Sequence, residues 1–336
     1  MTEHPPADDP RIPADLFPES RSMMAATIEL GLLDIEADTV DQIRSVAKAE
    51  GPLIGTGPAV KRVEEIDIEG PEGTLPLRIY HPPLPDPRRA ILFLHGGGWV
   101  LGDLDHADAD CRRLCVDTGS LVVAVDYRLA PEHPFPAGLE DAYAALRWLA
   151  EKVGSTSGPP RLVVGGDSAG GNLTAALTLL ARERGGPAID HQVLIYPVTD
   201  RDFETDSYRT FGDGYLLTRA AMELFWASYV PAASGDTDPL AAVLRAEDLS
   251  GLPPATVVVA GCDVLRDEAE AYGLRLRLAD VSVDVLRYPG QLHSFWTYGG
   301  ASDIGRKVNA DILASLESAE QIRPDGDHSV QDVVEP

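Results

Sequence analysis

From Val63 onward, short apolar runs alternate with longer stretches in which apolar positions recur every three or four residues. The short runs are ILFL (91–94), LVVAV (121–125), RLVV (161–164), QVLIYP (192–197), ATVVVAG (255–261) and VSVDVLRY (281–288). Several are apolar throughout instead of alternating with polar residues. That pattern predicts strands buried on both faces, as in a parallel sheet. The stretches between them, such as 137–153 and 265–280, combine helix formers with helical apolar spacing. Alternating strand and helix predicts an α/β layered fold. Two earlier runs, VEEIDI (63–68) and LPLRIY (75–80), lie too close together for a crossover helix and read as an antiparallel hairpin at the sheet edge.

Two regions break the alternation. Residues 1–55 read as helical, with amphipathic spacing over 20–51 and a Gly-Pro stop at 51–52. Residues 200–235 carry GDGYLLTRAAMELFWASYV (212–230), an aromatic-rich helix. Both are expected to pack over one end of the sheet as a cap, the aromatic insertion forming a binding wall. The main domain is then expected over 56–320, followed by a disordered acidic tail over 321–336.

Charge and composition narrow the function. The 336 residues are 44% hydrophobic and 24% charged, as in an ordinary globular protein. A net charge of −26 repels nucleic acid and anionic membrane surfaces. No run approaches the roughly 18 apolar residues of a membrane span. The opening MTEHPPADDPRIP has no apolar core of a secretory signal, so a cytoplasmic protein without membrane insertion is expected. The lysines are Lys48, Lys61, Lys152 and Lys307, few candidates for Schiff-base chemistry. Cys111, Cys115 and Cys262 lack a disulfide spacing. Cys111 and Cys115, four apart with His106 upstream, lack a second pair of metal ligands and read as buried small side chains. No metal site is expected.

The stretch RLVVGGDSAGGNLTAALTLL (161–180) is strand, glycine-rich turn and helix. A phosphate loop would need Lys and Ser/Thr where Asn172 and Leu173 stand. A dinucleotide G-x-G-x-x-G fits no glycine register here. The stretch does fit a nucleophile elbow, G-x-S-x-G at Gly166–Gly170, with Ser168 raised on a strained turn. Such a serine needs a base, and the base needs an orienting acid, in the order Ser, acid, His. After Ser168 come His191, at the wrong end of its strand, His328, in the tail, and His293, just past the last strand. His293 is therefore the candidate base. Asp263 ends the strand between them and is the candidate acid; Asp267, a helical turn later, suits a helix N-terminus. His95-Gly96-Gly97-Gly98 follows a strand directly and supplies backbone donors for an oxyanion, with Gly97, Gly98 and Ala169 as the expected hole. His95 reads as a hydrogen-bonder orienting that loop. Trp99, Leu101, Tyr196, Tyr215, Leu216 and Phe225 are candidates for apolar substrate walls.

HGGGW (95–99), GDSAGG (166–171), DYRLAPEHPFPA (126–137), DVLRDE (263–268) and the late His293 together resemble the hormone-sensitive-lipase-like family of α/β-hydrolase esterases, over roughly residues 55–320. The resemblance implies an α/β-hydrolase fold, a serine carboxylesterase for short- to medium-chain acyl esters, and no cofactor. It maps Ser168, Asp263 and His293 as the triad, and gives Glu132 a bracing role. Two positions depart from the family pattern: Ser294 stands where Gly often follows the histidine, and Val264 where Pro often follows the acid. Two rivals stay open. One is an acyl hydrolase on amides, lactones or carbamates. The other is a ligand receptor resembling the plant gibberellin receptors, which lose the histidine that is present here. The last strand, 281–288, offers an edge for a homodimer.

Overall fold

The computed structural model describes residues 9–31, 39–49, 51–154, 160–231, 238–298 and 302–322. Strands β1 (Arg62–Gly70) and β2 (Gly73–His81) form the expected antiparallel hairpin, with Ile66 opposite Leu77. The hairpin occupies one edge of an eight-stranded sheet. The other strands are β3 (Arg89–Leu94), β4 (Leu121–Val125), β5 (Arg161–Asp167), β6 (His191–Ile195), β7 (Ala255–Cys262) and β8 (Val283–Leu292). The order is β1-β2-β4-β3-β5-β6-β7-β8, parallel from β4 to β8. This is the α/β-hydrolase fold.

The strands are apolar throughout because two layers cover them. Leu92, Val123, Val164 and Val257 face one cluster with helices α5 (Ala137–Gly154), α6 (Ala169–Glu183) and α9 (Arg266–Leu278). Ile91, Phe93, Val163 and Val258 face the other, with α4 (Asp108–Thr118), the short α10 (Phe295–Tyr298) and α11 (Asp303–Ile322). Each such buried Val, Leu or Ile stabilises the fold by about 1.5–3 kcal/mol. Cys111 and Cys115 belong to the second cluster. The Cys115 thiol donates to the Tyr80 carbonyl at 3.4 Å, and burial pushes it up to about 12.

The structure departs from the sequence reading at three boundaries. β8 continues through Pro289 and Gly290 to Leu292, four residues beyond the expected end, with a register shift against β7 between Ala260 and Cys262. The Gly-Pro pair at 51–52 opens a short turn, α3 (Gly51–Ile54), instead of ending the helical region. α11 holds Gln321 and Ile322, and the expected tail from residue 323 onward, His328 included, lies outside the described residues. The N-terminal region forms α1 (Pro18–Glu29) and α2 (Val40–Ala49). The insertion forms α7 (Asp206–Phe211) and α8 (Arg219–Tyr229). Among the described residues, no helix is long and apolar enough to cross a membrane.

Candidate active site

The carboxyl ends of the parallel strands converge on Ser168, which sits alone between β5 and α6 at φ 52°, ψ −117°. A non-glycine residue held there stores on the order of 1–3 kcal/mol of strain, and the surroundings must impose it. They do so through glycines and backbone bonds. A Cβ on Gly170 would lie 1.9 Å from the Leu94 carbonyl, and one on Gly166 would lie 2.4 Å from the Gly170 carbonyl. The Ser168 N–H donates to Ile195 O at 2.8 Å, and the Ser168 carbonyl accepts from Asn172 and Val198.

His293 follows β8 and Asp263 follows β7 directly. The structure brings them to Ser168 in one hydrogen-bonded line. His293 Nε2 lies 3.0 Å from Ser168 Oγ, and its Nδ1 lies 2.7 Å from Asp263 Oδ2. The other Asp263 oxygen accepts the Leu265 N–H at 3.0 Å. All three side chains are buried. With Asp263 accepting at Nδ1–H, the free lone pair of Nε2 faces the serine hydroxyl, the arrangement a general base needs. Asp267 does not join this line. It accepts the Ser207 N–H at 2.7 Å, so it serves the first turn of α7 as well as standing in that of α9. His191 opens β6 at the opposite end of the sheet, bonded to Thr256 Oγ1 at 2.8 Å.

The glycine loop after β3 stands beside the elbow. Gly97 and Gly98 adopt φ 114° and 59°, and the Gly97 carbonyl accepts from Val100 and Leu101. The N–H groups of Gly97 and Gly98 have no partner among the described residues. Ala169 begins α6, so its N–H lies at the positive end of that helix. His95 donates from Nδ1 to the Gly96 carbonyl at 2.7 Å and stacks on Tyr127 at 4.4 Å, bracing the loop as expected. Burial lowers the His95 imidazole to about 4, so the ring stays neutral. Glu132 grips Arg44 of α2 with two bonds, and Arg44 also donates to the Val100 and Ala130 carbonyls. The N-terminal region is thereby tied to this loop.

Asp167, next to the serine, accepts the Gly96 N–H at 2.8 Å. Burial, reinforced by the charge of Asp110, raises its carboxyl to about 8, against the opposing pull of the Gly96 N–H. The group is neutral below that pH. Above it, a negative charge forms beside the loop that would hold an oxyanion. Turnover at Ser168 is therefore expected to fall as pH rises through about 8, and Asp167→Asn is expected to remove that alkaline loss. A kcat/KM profile over pH about 6 to 10 checks this; an identical alkaline limb in both proteins refutes it.

Above Ser168 opens a cavity of about 700 Å³. Thr27 of α1 and Ile43 and Ala47 of α2 line one part, and residues 216–223 with Phe225 line another. Of the six expected wall residues, Leu101, Leu216 and Phe225 line the cavity. The other three lie elsewhere. Trp99 is buried against Tyr229, stacked at 4.1 Å. Tyr196 lies against the His293 ring at 4.7 Å and shares a bond with Thr297 Oγ1. Tyr215 bonds Asp15 and packs on Phe211. Sequence reasoning missed Ile43 and Ala47, although their i, i+4 spacing on an amphipathic helix was a usable signal. It also missed Met222 and Leu217.

A family model described as alpha/beta hydrolase fold matches residues 91–297. The chain is 47% identical to carboxylic ester hydrolase LipN of Mycobacterium tuberculosis, across 76% of this chain and 70% of that protein. It is 38% identical to ethyl acetate hydrolase of Pseudomonas putida, across 86% and 92%. The crystal structure of a thermostable esterase from Pseudomonas putida superposes with a TM-score of 0.81 at 34% identity, covering 92% of this chain and 98% of that one.

Proposed function

The chain belongs to the hormone-sensitive-lipase-like family of α/β-hydrolase esterases, and from that premise we propose a serine carboxylesterase acting on short- to medium-chain acyl esters. The observation that carries this reading is the unbroken bond line Ser168–His293–Asp263 beneath a cavity whose walls include Ile43, Leu101, Leu216, Met222 and Phe225. Ser168 Oγ attacks the ester carbonyl carbon while His293 Nε2 takes its proton. Asp263 holds the imidazole in one tautomer and stabilises the imidazolium. The N–H groups of Gly97, Gly98 and Ala169 stabilise the tetrahedral oxyanion, each by on the order of 3 kcal/mol. His293 then protonates the departing alcohol. Water, deprotonated by the same imidazole, hydrolyses the acyl-enzyme and frees Ser168.

In this reading residues 1–55 and about 200–235 form a cap over a catalytic body of 56–320. The lining of one cavity by Thr27, Ile43 and Phe225 supports it. Free cysteines and an acidic surface support a cytoplasmic enzyme. Matched esters and amides of graded acyl length test the proposal. Esters of about two to eight acyl carbons are expected to turn over fastest, with matched amides slower by several orders of magnitude. Amide or lactone turnover exceeding that of every ester refutes it.

A further inference from the structure

The loop that carries His293 is held from the far end of the chain. Ser20, on α1, donates its hydroxyl hydrogen to Gln291 Oε1 at 2.7 Å. Ser20 Oγ in turn accepts the N–H of Leu292, the residue before His293, at 3.0 Å. Ser20, Gln291 and Leu292 are each at most 2% exposed, so no water competes for these bonds. Around them, the Phe17 N–H donates to the Gly290 carbonyl at 2.9 Å. The Phe17 ring also covers Gly290 so closely that a Cβ there would meet it at 2.3 Å. The residue on the other side of His293, Ser294, sits at φ 62°, in the region that favours glycine. A side chain forced into that conformation pulls the loop toward other backbone angles, so something must restrain it.

We propose that Ser20 is a positioning residue for His293: its paired bonds to Gln291 and Leu292 make the N-terminal helix the restraint that aims the imidazole at Ser168. The alternative, a purely structural bond, is disfavoured by how α1 is anchored. Met23, Met24 and Ile28 bury the helix in the main core independently of Ser20. Removing the hydroxyl therefore leaves α1 docked. It also leaves the Leu292 N–H without its acceptor and Gln291 Oε1 without its donor in a dry site, and buried groups left unpaired drive local rearrangement. The rearranged segment ends at His293. A displacement of about 1 Å at a reacting group costs roughly a hundredfold in rate.

The inference rests on the reading of Ser168, His293 and Asp263 as the reacting triad. The experiment compares Ser20→Ala, Ser20→Thr and Ser22→Ala, with active sites counted by a fluorophosphonate taken to completion. Ser22 lies on the same helix, is exposed, and donates to its own helix at Pro18 O, so Ser22→Ala serves as the control. In Ser20→Ala, kcat per labelled site is expected to fall about 10- to 100-fold with KM within about twofold. The acid limb of its kcat/KM profile is expected to move, since the surroundings of the imidazole change. Ser20→Thr, which keeps the oxygen, is expected to recover most of kcat, and Ser22→Ala to match the unmodified protein. A Ser20→Ala protein that melts earlier but keeps its kcat per site and its pH profile overturns the proposal. So does failure of Ser20→Thr to recover activity, or a Ser20→Ala chain that does not fold at all. If Ser168→Ala keeps its turnover, the triad reading falls; an inactive Ser168→Ala beside a fully active Ser20→Ala sinks only the role of Ser20.

Discussion

Ser168→Ala is expected to lower kcat for an activated ester by at least about 10⁴-fold while leaving KM and the melting temperature nearly unchanged. The activity loss follows from chemistry: alanine offers no atom to attack the carbonyl, and His293 Nε2 loses the hydroxyl 3.0 Å away whose proton it would accept. The unchanged fold follows from the elbow. Alanine keeps the Cβ that already exists at φ 52°, and the backbone bonds to Ile195, Asn172 and Val198 involve no side-chain atom. Because the three side chains act as one unit, Ser168→Ala combined with His293→Ala should lose little beyond the single change. Steady-state kinetics on a chromogenic ester decides the matter. Turnover within tenfold of the unmodified protein would remove Ser168 from the reaction.

The parts legible in the sequence share a physical cause. β3 read as a strand because Ile91 and Phe93 meet one helical layer while Leu92 and Leu94 meet the other, leaving no polar position to hide it. The bond line was legible because each member ends or follows a strand of a parallel sheet, which brings residues far apart in the chain to one rim. The wall residues were less legible. Aromatic character announces burial but not direction, and direction depends on backbone angles that sequence patterns do not encode. Trp99 at φ 61° and Tyr196 at φ 36° both lie in the left-handed region, and both are buried away from the cavity. The end of β8 was misread for a related reason. Pro289 and Gly290 look like a stop, but among the described residues β8 pairs only with β7, and an edge strand tolerates a residue that lacks an N–H. Contacts such as Ser20 with Leu292 span nearly the whole chain, and no local periodicity announces them.

Asp263→Asn is expected to reduce kcat/KM by about 10⁴-fold, close to the loss from removing the serine, although it changes one atom. The carboxylate now accepts the Nδ1–H of His293 at 2.7 Å, which leaves Nε2 unprotonated toward Ser168. An asparagine amide turned toward the ring donates instead. Nδ1 must then accept, the proton moves to Nε2, and the base no longer has a lone pair for the serine hydroxyl. Packing should survive, because the asparagine oxygen can still accept the Leu265 N–H. Asp267→Asn is the matched comparison. Its side chain touches Ser207 and Arg266, not His293, so kcat/KM should stay within a few-fold of the unmodified protein. The pair separates orientation of the base from general acidity at this rim of the sheet. If Asp267→Asn lost as much activity as Asp263→Asn, the orienting role would not belong to Asp263 alone. If Asp263→Asn kept most of its activity, the tautomer argument would fail even with Ser168 intact.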